Sequence, residues 1–149
     1  PDPPEALTSN AGWDLVANEA RLEAILKRQR SVGIRASLFV DPNLMDAEQT
    51  AALLRLKPDR IELYTEAFSD HYGTPEQSRV TETYAEVARV AQRAGIGVNA
   101  GHDLNQNNLA YLLGKIPWID EVSIGHALIC EALEQGMQTT IGNYLKLIS

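Results

Sequence analysis

At 149 residues, 44% hydrophobic and 22% charged, the chain has an ordinary globular mixture and enough apolar material for one substantial core. With 13 basic against 20 acidic residues the net charge is −7, and the basic residues (Arg21, Lys27, Arg28, Arg30, Arg35, Arg55, Lys57, Arg60) are scattered rather than striped with aromatics, which argues against nucleic acid as a partner. No stretch approaches the roughly 18 apolar residues of a membrane span, residues 1–5 lack the features of a secretory signal, and the sole cysteine, Cys130, excludes an intrachain disulfide and a cysteine-based zinc cluster, so a cytoplasmic protein without a membrane partner is expected.

Residues 1–14, rich in Pro, Ser, Thr, Asn and Gly, read as a loop. Over residues 15–31, Leu22, Ile25 and Leu26 recur at helical spacing, and Gly33 lies where a helix C-cap is wanted. Arg35-Ala36-Ser37-Leu38-Phe39-Val40 then reads as a strand stopped by Asp41-Pro42. Asn43 with Asp46 suggests the next helix start, Leu53 and Leu54 its buried face, and Pro58 its end. A second strand follows at residues 60–66. Thr74-Pro75-Glu76 predicts an N-cap with Pro at the first helical position, and Val80, Tyr84, Val87 and Ala91 make a helical stripe up to Gly95. The third strand is expected at residues 96–100, ending in Gly101-His102-Asp103; a short helix at 107–113 leads to a fourth strand at 121–124, ending in Gly125-His126. One last helix is expected to carry Leu133, Met137, Ile141, Leu145 and Ile148, and Cys130 to be a small buried hydrophobe.

Strands separated by amphipathic helices call for right-handed parallel crossovers and an α/β class. Asp41, Glu62 to Glu66, His102 and Gly125-His126 put polar groups at every strand end, which favours a (β/α) TIM-type barrel over an open sheet with one switch point. A full barrel needs eight strands in about 250 residues. The chain offers half that number, so residues 1–149 read as a single domain supplying about the last four βα units, the C-terminal half of a barrel. There is no initiating Met, and the start at Pro1 suits a proteolytic nick. Half a barrel is expected to leave an apolar inner face and two strand edges uncovered, so the chain should pair with its N-terminal half or with a copy of itself.

Neither common nucleotide cradle occurs, and His-Glu-x-x-His and Gly-x-Ser-x-Gly are absent too. His102 follows a glycine that frees the turn off the strand, which suits general acid-base work at a barrel mouth; a histidine bonded to a neighbouring loop fits the spacing equally. Gly125-His126 opens the last βα connection, where free N–H groups and a helix dipole hold phosphate in many barrels, although a simple tight turn gives the same pair. Glu62 sits between apolar neighbours. If it faces inward it is a candidate proton carrier or electrostatic stabiliser; the alternative is a structural pair with Arg35 or Arg60.

The strings SLFVDP, DRIELYTEAF, GVNAGHDLN and EVSIGHALI, in that order, resemble the second half of the pyridoxine 5'-phosphate synthase family, and LTSNAGWDL resembles that family's loop after its fourth strand. The resemblance runs over essentially the whole chain. It implies an enzyme without metal or organic cofactor that condenses 1-deoxy-D-xylulose 5-phosphate with 3-amino-1-hydroxyacetone 1-phosphate, giving pyridoxine 5'-phosphate with loss of phosphate and water. It further implies His102 as proton donor, Glu62 as stabiliser of charged intermediates, Gly125, His126 and Asp103 as holders of the amino-ketone phosphate, and Thr8 as a contact for deoxyxylulose phosphate. Asp103 departs from members with Gly there, so its backbone is expected to meet an anionic substrate. The family's groups after the first three strands have no counterpart here, which implies that the chain alone is inactive and needs its N-terminal half.

Two other readings compete. A non-catalytic phosphate-binding half-barrel that self-associates into a homo-oligomer fits the same elements, and an aldolase-like barrel is disfavoured because no lysine occupies a strand end.

Overall fold

A computed structural model describes Asp2 and residues 4–149; the parts of the predicted opening loop at Pro1 and Pro3 lie outside the described residues. Four parallel strands, β1 (Ser37–Val40), β2 (Arg60–Tyr64), β3 (Gly97–His102) and β4 (Glu121–Ile124), lie side by side in chain order. Helices α1 (Glu19–Ser31), α2 (Ala47–Leu56), α3 (Glu66–His71), α4 (Gln77–Arg93), α5 (Leu109–Lys115), α6 (His126–Gln135) and α7 (Met137–Leu147) precede, connect and follow them. This is an α/β fold in which consecutive parallel strands pair, a partial TIM-type barrel.

Parallel register sorts side chains by face, because residues opposite one another share a side of the sheet. Leu38, Val40, Ile61, Leu63, Val98 and Ala100 point to the helix layer and are buried. There they meet Leu22, Leu26, Leu53, Val80, Tyr84, Ala88, Ala91, Leu109 and Leu112 in one core. The predicted stripe on α4 is therefore its buried face. The opposite face carries Ser37 beside Arg60, Phe39 beside Glu62, Glu62 beside Asn99, and Asn99 beside Glu121. It is largely polar, which corrects the expectation of an apolar inner face.

Several boundaries differ from the expected ones for local reasons. Residues 15–18 form a turn rather than the first helical turn: the Asp14 carboxylate accepts from Ala17 N–H, and α1 begins only at Glu19. Asp46, not Asn43, caps α2 by accepting from the N–H groups of Glu48 and Gln49, while Asp41 caps a 3₁₀ turn at Pro42–Leu44. The short α3 was not expected; it is tied down by the Tyr84 hydroxyl, which donates to Tyr64 O and accepts from Phe68 N–H. Helix α4 starts two residues later than the Thr74 cap predicts. The last helix is two: Gly136, at φ 83°, breaks the chain between α6 and α7. Of the five apolar residues expected on one helix, Leu133 lies on α6, Met137, Ile141 and Leu145 on α7 and Ile148 just beyond it, and all five are exposed, Leu133 to 83%. Cys130 is exposed as well.

Candidate active site

Strand β3 runs two residues further than its apolar run, carrying Gly101 and His102 onto the C-terminal rim of the sheet. By alternation His102 would follow Val98 and Ala100 into the helix layer. Its backbone takes φ +93° instead, a conformation that costs a residue with a Cβ about 1–3 kcal/mol and persists only where its surroundings impose it. The imposing group is Thr65. Its buried hydroxyl donates to Gly101 O at 2.6 Å and accepts from Asp103 N–H at 3.0 Å, bracing the backbone on both sides of the histidine.

The imidazole is thereby held on the rim. Nδ1 lies 2.9 Å from an Asp103 carboxylate oxygen, Nε2 lies 3.2 Å from the Thr8 hydroxyl, and the Tyr64 ring packs edge-on at 5.3 Å between centroids. The Tyr64 hydroxyl donates to Glu66 at 2.8 Å, and burial, reinforced by that carboxylate, pushes the phenol well above its ordinary range.

Glu62 stands on the polar face, which resolves its orientation. It lines, with Ser9, Phe39, His102, Ser123, Ile124 and Gly125, an open cleft of about 390 Å³. Neither arginine named as a structural partner takes it: Arg35 forms a two-pronged pair with Glu121, and Arg60 bonds Asp120 and Asn99. Glu62 instead accepts a long hydrogen bond of 3.4 Å from the Ser123 hydroxyl. It reaches across Gly101 to do so, and a Cβ at that position would stand 2.6 Å from its Oε1 and 3.0 Å from Ser123. A side chain at 101 would displace the movable end of Glu62 and press on the stiffer Ser123.

Of the residues singled out in the sequence, His102, Glu62 and Gly125 line the cleft, and Thr8 and Asp103 touch His102 directly. His126 opens α6 and is exposed, outside the cleft lining. The N-terminus of α6 has no side-chain cap and no acidic residue in its first turn, so its N–H groups and dipole face the rim unopposed. The Asp103 N–H, in contrast, is taken by Thr65. Thr65, Tyr64 and Ser123 escaped the sequence reading; a hydroxyl that ends an apolar strand beside a Gly-His turn was the available signal for Thr65. Among the described residues no group of three or more His, Cys, Asp and Glu is placed to hold a metal ion.

Acids, an imidazole and a helix N-terminus thus gather on the C-terminal rim of this partial barrel, the end at which barrel enzymes carry their sites. The sequence model of the family described as pyridoxal phosphate biosynthesis protein PdxJ matches residues 1–149. Proteins named pyridoxine 5'-phosphate synthase from Parabacteroides distasonis and Cytophaga hutchinsonii are 46% and 45% identical over 97% and 98% of this chain. A third, from Albidiferax ferrireducens, is 41% identical over 100% of it. The chain belongs to the PdxJ family. It spans 59%, 60% and 58% of the length of those three curated relatives.

Proposed function

We propose that this chain is the C-terminal half of a pyridoxine 5'-phosphate synthase, which joins 1-deoxy-D-xylulose 5-phosphate to 3-amino-1-hydroxyacetone 1-phosphate and closes the pyridine ring with loss of phosphate and water. The observation that carries this reading is the strained His102 on the rim, its Nε2 toward Thr8, sharing one cleft with Glu62 and Gly125. Ring closure with loss of water needs a group that gives a proton to a departing oxygen, and an imidazole suits that task near neutral pH. Glu62, without a cationic partner among the described residues, is available to stabilise positive charge on iminium-type intermediates. Gly125 and His126, with the uncapped start of α6, hold the amino-ketone phosphate; Asp103 contributes through His102 more than through its engaged N–H. Thr8 contacts deoxyxylulose phosphate.

The rest of the site comes from the N-terminal half of the same enzyme. Both β1 and β4 are sheet edges, and Ile129, Leu133, Met137, Ile141, Leu145 and Ile148 expose apolar surface on and just beyond α6 and α7. That surface favours association with the other half and between copies in a cytoplasmic homo-oligomer. The test is an assay for pyridoxine 5'-phosphate with both substrates, using the 149-residue chain alone and co-expressed with an N-terminal half. Product only from the pair supports the reading. Activity from the chain alone overturns the half-site argument, and a stable phosphate-binding dimer with no turnover in either sample favours the non-catalytic module.

A further inference from the structure

We infer that Asp103 is a positioning residue that fixes the tautomer of His102, so that Nε2 is the nitrogen exchanging a proton with substrate. This rests on the reading of His102 as the proton donor. A carboxylate only accepts hydrogen bonds, so the nitrogen 2.9 Å from Asp103 Oδ2 must carry its hydrogen. Nε2 is then the nitrogen that gains and loses a proton, and it is the one turned toward Thr8.

The contact between neighbours in sequence depends on the backbone described above. With His102 at φ +93° and the Asp103 N–H held by Thr65, the Asp103 side chain folds back onto the imidazole. Asp103 O is also held, by Asn108 Nδ2 at 3.3 Å. The carboxylate is not needed to close its loop, because Asn105 and Asn108 do so: Asn105 Oδ1 accepts from the N–H groups of Asn107 and Asn108, and Asn108 Oδ1 from Asn105 N–H. Its ion-pair partner among the described residues is His102. Glu62 and Tyr64 from β2, Glu66 behind Tyr64, Ser123 and Gly125 at the end of β4, and Ser9 from the opening loop also surround the ring or its cleft, yet Asp103 is the carboxylate in contact.

The experiment is ¹⁵N NMR of the His102 side chain in the substrate-free full-length protein, alongside turnover of Asp103→Ala and His102→Ala. We expect the Nδ1–H tautomer in the neutral wild type, its loss in Asp103→Ala, and a fall in kcat of about 10–100-fold with KM little changed, the usual cost of losing a partner that orients a working histidine. An Nε2–H tautomer in the wild type overturns the proposal even if Asp103→Ala fails to fold. So does wild-type kcat in Asp103→Ala while His102→Ala is inactive. Full turnover in His102→Ala would instead remove the functional reading on which the proposal stands.

Discussion

The two rims of the polar sheet face use the same residue types to opposite ends. At the N-terminal rim the charges on this face are paired: Arg35 with Glu121, Arg60 with Asp120 and Glu121, Asn99 bridging Arg60 and Glu121, and Asp59 accepting from Ala36 N–H. At the C-terminal rim, Glu62 meets a hydroxyl at 3.4 Å and His102 meets one carboxylate, on a backbone held at φ +93°. Arg60 and Glu62 lie two residues apart on one face of one strand. The difference is which side chains reach across β3: Arg60 crosses Gly97 to find acids, and Glu62 crosses Gly101 to find Ser123 and the cleft. One rim pairs its charges with one another; the other leaves Glu62 without a cationic partner among the described residues.

The contrast is broken most severely at His102. His102→Ala in the full-length enzyme should lower turnover by about 10²–10⁴-fold, the range for one acid-base group. Its melting temperature should change little, because alanine keeps the φ +93° backbone and the imidazole's contacts, with Thr8, Asp103 and the edge of Tyr64, lie at the rim rather than in the core. Normal turnover would show that the rim is not a site. Gly101→Ala is the sharper probe. A Cβ there meets the movable end of Glu62 but also the stiffer Ser123 Cβ, so stability should fall by about 1–3 kcal/mol and kcat by about 10²-fold from the displaced carboxylate. Unchanged kcat with lost stability would make Glu62 a bystander.

Legibility in the sequence followed the same division. The strands and the α4 stripe were readable because their apolar periodicity is the core itself, and β4 appears at the residues expected. His102, Gly125 and Glu62 were readable because glycine beside histidine, or a carboxylate inside an apolar run, is chemically conspicuous. What stayed hidden depends on φ angles and on hydroxyls. Nothing in Gly101-His102-Asp103 announces a left-handed histidine, and the brace that enforces it comes from Thr65, 36 residues away. The segment from Leu133 to Ile148 was read as one helix because its apolar spacing is helical throughout, and that spacing does not report the φ of 83° at Gly136 that divides α6 from α7.

Thr65 offers a smaller effect that links both halves of the contrast. Thr65→Val removes a donor to Gly101 O and an acceptor for Asp103 N–H in a fully buried place, which should cost about 1–3 kcal/mol in denaturant unfolding. It should also lower kcat, since His102 loses its backbone brace. Thr65→Ser keeps the hydroxyl and should restore kcat. If valine and serine behave alike, the brace is incidental and packing alone sets the turn.

The smallest effect is expected from acid at the N-terminal rim. The Arg35 guanidinium, bonded to Glu121 through both prongs, holds that carboxyl below its ordinary 4.5, with Arg60 and Asn99 adding to it. Arg55 does the same to Glu19 between α1 and α2. A depressed folded-state value means that the unfolded chain binds the proton more readily. The stabilisation is therefore complete above the unfolded value near 4.5 and disappears as pH falls through the lower folded value. Glu121 is solvent-exposed and Glu19 half-exposed, so salt screens both and each contribution is small. Melting temperatures of the full-length protein from pH 6 down to about 3 should decline, less steeply in Arg35→Met than in the wild type, and the gap between the two should narrow in high salt. His102 turnover should be indifferent to Arg35→Met at neutral pH. A change in kcat there would mean that the two rims are coupled through β3, and that the paired charges at one end help to set the geometry at the other.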